Sequence, residues 1–535
     1  MQKIEENIGI HDKFQFEIKY IYPFDRNTPV TEYTVEHFLF IPNNLGINSR
    51  NYSREQFYGD TQKYLRLKTP VFNLHAMTSG SDNPLDKLSN AMKELANDPE
   101  NDKTERKYKY HLKMFCAIFK SAIRDEESFI EKRLKPEDHR KAAAKVVNDI
   151  RDITESFRAL RPLIHFSHVS HKQLALFNFA DEYLSLLIEK RIFRLLDFLK
   201  NKSTRNYSEV SPILLSLAVA EQKYREQNNY PSVPQEKESN EVVVYRGRIL
   251  KKIMGNILFL HTSIKMEGRL REQIGLGFAA GLAMAFATAF IFLSRSIWQD
   301  FTLSLFAILI IIYIFKDRIK EITKGIMVKL LRKYIYDYKT FLTTSFNKRI
   351  GFCRDLFNFV TENKLPQMVK RLRNKNYIDE LNNGYTPEEI IYYKKYIRIY
   401  SKSCEQLLQD FKVDGVIDIL RYNVHHLLGK MDNPEKTLFV ASGDNDFKPV
   451  AGHCVYHLNL ILKYGSFKQE PFYQKFRIIL DRDGIKRIEK VPCDLTQIAP
   501  QLCSAGSSLA PAPGGLKADI NFIGHGARPH SWFMI

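Results

Sequence analysis

The sequence predicts an α+β membrane protein. A two-helix transmembrane hairpin sits between a mainly helical N-terminal portion with initial β-strands and a C-terminal portion of helices and β-strands. Three observations predict this class. Two apolar runs, Ile274 to Leu293 and Ile297 to Phe315, lie a few residues apart near the middle of the chain. Aromatic and polar residues alternate at the start, and again from Thr437 to Val491. Between the first of these regions and the apolar runs, long stretches carry few helix breakers.

The first apolar run, IGLGFAAGLAMAFATAFIFL, carries no charge. At about 1.5 Å per helical residue it matches the roughly 30 Å hydrocarbon core of a bilayer. The second has an uncharged core from Phe301 to Phe315, which Ile297 and Trp298 extend, leaving Gln299 and Asp300 at the interface. Positive charge resists translocation, so Lys and Arg near a span report its orientation. Lys265, Arg269 and Arg271 precede the pair, while Lys316, Arg318, Lys320, Lys324, Lys329, Arg332 and Lys333 follow it, against Arg295 alone in the loop. The expectation is an integral membrane protein with two spans and both termini cytoplasmic. The seven cations after the second run are expected to contact lipid head groups. Gly277, Gly281 and Ala285, at four-residue spacing, are expected to pack the first helix against the second or against a neighbouring copy.

At the N-terminus, KFQFEIKYIY and EYTVEHFLFI have the period of half-buried strands, with turn chemistry between them, within an N-terminal β-containing region over 1–83. A helical domain is expected over 84–226. Within it Ser170 and Gln173 have capping-box spacing, and Leu174, Phe177, Leu184, Leu187, Ile188 and Leu195 recur at helical spacing. The polar, proline-bearing segment QNNYPSVPQEKESN reads as a linker over 227–240, and a juxtamembrane helix is expected over 241–273. After the hairpin at 274–315, a basic helical region is expected over 316–430. There Thr386-Pro-Glu-Glu389 places an N-cap, a first-turn proline and a capping-box glutamate in order. A small β region follows over 431–492, in which Asp481-Arg-Asp-Gly484 has hairpin chemistry. It could pair with the N-terminal strands. From 493 to 535 the texture shifts to Ala, Pro, Gly and Ser, composition that cannot readily build a core and is expected to be disordered; a non-native extension would account for the change.

Of 535 residues, 26% are charged and the net charge is +19, with a mean hydropathy of −0.32, so most of the chain must be solvated and a polytopic transporter is excluded. Much of the positive excess lies beside the apolar runs, which favours the lipid bilayer and its anionic head groups as partner over nucleic acid. Six cysteines without a CxxC pair read as reduced thiols. The densest ligand-like cluster is HFSHVSH. Its His165, His168 and His171 could offer imidazoles to a metal, although a cap at Ser170 would interrupt a continuous helix. Gly443-Asp-Asn-Asp446 could hold a hard cation, but turn chemistry explains it as well. Tyr392 to Lys402, YYKKYIRIYSK, interleaves aromatic and basic residues and reads as an amphipathic helix following the cap at Thr386. A phosphate-binding loop lysine motif, GxSxG and HExxH are all missing from the sequence, so catalytic residues and cofactors stay unassigned. The expected role is a membrane-anchored, cytoplasm-facing scaffold, adaptor or sensor, working with a protein partner or as a homo-oligomer. The alternative is a membrane-tethered enzyme, metal-dependent if the histidines serve, with its site in a cytoplasmic domain.

Overall fold

The computed structural model describes residues 4–492, except 25–27, 81, 134, 166–169, 202–206, 238, 298–302, 346, 374–387, 403–409, 443–445 and 467–469. Side chains at 136, 269–272, 294–297, 304–305 and 328–334 are also outside the description. The tail expected over 493–535 lies outside the described residues, as does Thr386.

Two antiparallel sheets are built from strands at opposite ends of the chain. The smaller has the order β1 (Glu5–Asp12), β2 (Gln15–Pro23), β9 (Gly415–Asn423), β4 (Thr61–Leu67). The larger runs β14 (Gly484–Val491), β13 (Phe472–Asp481), β12 (Tyr456–Ser466), β3 (Val30–Ile41), β8 (Glu389–Tyr400), β7 (Arg349–Val360), β6 (Tyr338–Thr343), β5 (His261–Met266). Alternation decides the faces, because successive side chains on a strand point to opposite sides. Phe16, Ile18, Tyr20 and Tyr22 of β2 are fully buried against Tyr33, Val35 and His37 of β3, while Phe38 and Phe40 turn outward into a second apolar cluster with Leu365, Val369, Ile390 and Ile461. Val369 belongs to α10 (Gln367–Arg373), which packs on β12. The β13–β14 turn is fixed by Asp481 Oδ1, which accepts from the Asp483 and Gly484 N–H groups at 2.9 and 3.2 Å, with Gly484 at φ +140°.

The long unbroken stretches become α2 (Pro84–Asn97), α3 (Asp102–Arg133), α4 (His139–Arg158), α5 (His171–Asn201), α6 (Tyr207–Gln227) and α7 (Glu241–Gly255). Phe115, Phe157 and Phe177 stack through their centre, with ring centroids 5.3 and 4.7 Å apart. Asn83 caps α2 by accepting from the Asp86 N–H at 2.7 Å, and Gln173 accepts from the Ser170 N–H at 2.9 Å at the start of α5. Arg158 bridges Asp181 and Glu221 across three of these helices.

One expected helix is a strand, and another is a strand in part. Tyr392 to Tyr400 lies within β8, paired along its length with β3 and β7. Its inward row is Tyr393, Lys395, Ile397 and Ile399, all buried. With Lys395 inside and Tyr392, Tyr396 and Tyr400 on the other face, polar and apolar residues do not alternate as in an ordinary strand pattern. The region 316–430 accordingly holds β6 to β9 rather than helices alone. The juxtamembrane helix also stops early: α7 ends at Gly255, and residues 261–266 form β5.

Between β5 and β6 the chain forms α8 (Arg269–Ile297) and α9 (Leu303–Tyr334), which pack against each other. Among the described residues, one helix is long and apolar enough to cross a membrane, over Gln273–Leu293. The apolar run in the described part of α9, Leu303 to Phe315, is shorter and ends at Lys316. Ile274, Phe278, Phe292, Leu303, Phe306 and Phe315 expose their side chains outward from the pair.

A charged cavity between the two sheets

Two ion pairs cross between the sheets in opposite directions. Lys63 of β4 meets Asp355 of β7 at 3.0 Å, and Lys395 of β8 meets Asp418 of β9 at 2.7 Å. Each sheet thus contributes one lysine and one aspartate. Asp355, Lys395 and Asp418 are almost fully buried, whereas the Lys63 side chain keeps about a fifth of its surface exposed. The register explains how they meet. Asp355 and Lys395 are direct cross-strand neighbours, as are Lys63 and Leu420 two residues along from Asp418, so the four project into the same interlayer.

Tyrosines complete the polar layer. The Tyr393 hydroxyl donates to Asp355 Oδ1 at 2.5 Å, and the Tyr22 hydroxyl to Asp418 Oδ2 at 3.2 Å. His37 is hydrogen-bonded through both ring nitrogens, to Tyr20 at 2.8 Å and Tyr422 at 2.6 Å. Burial, with the Lys395 charge nearby, pushes His37 down to about 3, so it stands neutral. Burial would raise Asp355, but Lys63 and Lys395 outweigh it and hold the carboxyl below its ordinary value. Burial would lower Lys395, yet Asp418 leads the charges that keep it above the usual lysine range. Lys63 goes the other way: burial lowers it, Asp355 opposes, and the Lys395 charge adds to the lowering. Burial pushes the Cys353 thiol well up, so it is no thiolate nucleophile.

A cavity of about 370 Å³ opens onto Lys63, with Asp355, Lys395 and Cys353 on its floor. This volume is in the range of small-molecule sites. Thr61, at the start of β4, lines the cavity, and its hydroxyl is buried without a hydrogen-bond partner. Tyr58 enters from α1 (Arg54–Asp60), whose start is closed by a capping box between Ser53 and Gln56 at 3.2 and 2.7 Å. Its hydroxyl donates to Asp337 at 2.9 Å, and Arg54 reaches the same carboxylate at 3.0 Å, tying α1 to the root of β6. The outer wall is Thr262 and Ile264 of β5 with Tyr338 and Thr340 of β6.

The residues singled out from sequence lie elsewhere. His165 and His171 are exposed at the two sides of the α5 start, and His168 lies outside the described residues. Among the described residues no group of three or more His, Cys, Asp or Glu is arranged to hold a metal ion. Asp446 sits in the turn between β10 (Glu435–Ala441) and β11 (Phe447–His453), its Oδ1 accepting from the Phe447 N–H at 2.8 Å; Asp444 lies outside the described residues. Gly277 and Gly281 face open space and Ala285 is exposed, while Ala279, Ala283 and Ala287 form the buried face of α8. Lys316 lies 3.8 Å over the Tyr313 ring; Arg318, Lys320 and Lys324 are exposed, and the side chains of Lys329, Arg332 and Lys333 lie outside the described residues.

The four charges of the two ion pairs carried one faint sequence signal, a lone charge on the apolar phase of a strand. In GVIDILRYN, Val416, Asp418, Leu420 and Tyr422 alternate inward. No protein-family model, curated protein or solved structure matches this chain, so the geometry carries the reading.

Proposed function

We propose that this protein is a membrane-anchored, cytoplasm-facing sensor that binds a small polar molecule in the intersheet cavity and passes its occupancy to the helix pair. One observation carries the proposal. Two of the strands that line the cavity, β5 and β6, are the same two that run into α8 and out of α9. A guest that shifts Thr262, Ile264, Tyr338 or Thr340 therefore moves the roots of both helices.

The pairing of these strands also supports two crossings. Residues His261 to Met266 are hydrogen-bonded to Tyr338 to Thr343, so the chain leaves and rejoins the sheet on one side of any bilayer. If α8 crosses, the chain must cross back. The shorter apolar run of α9 is accommodated by local thinning and by long basic side chains reaching toward head groups. Lys316, Arg318, Lys320 and Lys324 are placed to do so, and anionic lipid is the partner their charge selects. An enzyme using the same cavity is the second reading, and the observation favouring it is the partly open Lys63 beside Asp355.

A ligand is not needed to test the coupling. Thr340→Phe places a ring in the cavity and mimics occupancy. In vesicle-reconstituted protein, hydrogen exchange over 269–334 is expected to change severalfold relative to wild type, with exchange in the distant α2–α4 region unaltered. Unchanged exchange in the helix pair, with the cavity filled and the fold intact, would contradict the coupling.

A further inference from the structure

We propose that Lys63 captures a small neutral aldehyde or ketone in the cavity as a reversible imine. The inference rests on the cavity being a ligand site, as proposed above, and is independent of the membrane reading.

Geometry carries it. The groups around Lys63 are Asp355 and Cys353 from β7, Lys395 and Tyr393 from β8, Asp418 from β9, Tyr58 from α1 and Tyr338 from β6. The Lys63 nitrogen lies 4.4 Å from the Tyr58 ring centre and opens on the cavity. In the resting site two ammonium groups and two carboxylates balance, so a neutral guest enters without adding a buried charge, whereas an anionic guest would leave one uncompensated; the Lys63 proton is given up to water at the cavity mouth before the amine reacts. Thr61 stands two residues before Lys63 on β4, hence on the same face, and its unpartnered hydroxyl is a free donor for a carbonyl oxygen.

The chemistry balances without an oxidant. The lone pair of the unprotonated Lys63 amine attacks the carbonyl carbon, the C=O electron pair moves to oxygen, and a proton passes from nitrogen to that oxygen by way of the Asp355 carboxylate. Loss of water from the resulting carbinolamine leaves C=N, so amine plus carbonyl gives imine plus water. Burial beside a second cation favours the unprotonated amine that this step needs.

The test uses the full chain in detergent with acetaldehyde or dihydroxyacetone as probe and cyanoborohydride to reduce the imine, followed by peptide mass spectrometry. Lys63 is expected to be modified at pH 7 severalfold faster than an exposed lysine such as Lys436, because burial beside the Lys395 charge favours its free amine and the cavity holds the carbonyl against it. Its rate should also persist below the pH at which exposed lysines cease to react, a readout needing no variant. Thr61→Val is expected to slow trapping severalfold while the protein stays folded. Modification of Lys63 no faster than Lys436, or with the same pH profile, overturns the proposal. If that occurs while Thr340→Phe still alters exchange in the helix pair, the carbonyl assignment falls and the cavity's sensing role stands.

Discussion

Lys395 and Asp418 are 1% and 0% exposed, so each is tolerable only because the other is there. Removing one partner of such a pair typically costs about 3–5 kcal/mol, whereas replacing both with apolar groups of similar volume costs far less. Lys395→Met and Asp418→Leu are therefore each expected to lower the urea midpoint sharply, with the double variant more stable than either single one; additive losses would show that the pair is not energetically coupled. His37 supplies a pH signature. Its folded pKa is about 3 against an ordinary 6.5, so below pH 6.5 the unfolded chain takes up a proton that the folded state refuses. Its contribution is present at neutral pH and is lost as pH falls from about 6.5 toward 3, at up to about 1.4 kcal/mol per pH unit. His111, lowered to about 4 by burial, acts in the same direction. Urea midpoints measured between pH 7 and pH 5 should fall more steeply in wild type than in His37→Gln, which keeps a hydrogen-bonding side chain but does not titrate there. None of these residues was assigned a role from the sequence, because each is a single polar residue whose partner sits on another strand, 23 residues away for Lys395 and Asp418 and far more for His37 and Tyr422. Tyr422 is 385 residues from His37, and only the fold brings them together.

Local elements were legible where a pattern is self-contained. The capping interaction at Ser170 and the Asp-Gly turn at Asp481 involve neighbours in sequence, and their physics is local. Strand β8 was not, because its inward lysine is compensated from another sheet and its tyrosines are shared between faces. The same limit applies to α8, where small residues recur on more than one face and four-residue spacing alone does not choose between them. The structure gives Ala279, Ala283 and Ala287 to the contact with α9 and leaves Gly277 open. Gly277→Ala is thus expected to leave thermal stability in detergent unchanged or raised by up to about 1 kcal/mol through helix propensity. Ala283→Leu is expected to overpack the pair, costing about 1–3 kcal/mol. The reverse ranking would move the packing face to the glycines.

At the scale of the whole molecule, the N-terminal strands and those after residue 389 form common sheets, so the β layers close only when most of the chain has been made. Sequence periodicity showed strands at both ends but could not specify that β3 pairs with β8 and β12, since register across hundreds of residues is set by packing of both faces. This closure makes β5 and β6 neighbours and sends the intervening helices out and back from one sheet edge. The central claim, that the helix pair crosses a bilayer and returns with the cavity held on one side, is tested most directly by labelling sealed vesicles with a membrane-impermeant maleimide. Ser296→Cys marks the end of α8 and Lys436→Cys marks the exposed strand β10. In vesicles displaying the soluble portion outward, Cys introduced at position 436 should label at once and that at 296 only after detergent is added. Equal labelling of both positions before detergent would contradict the account.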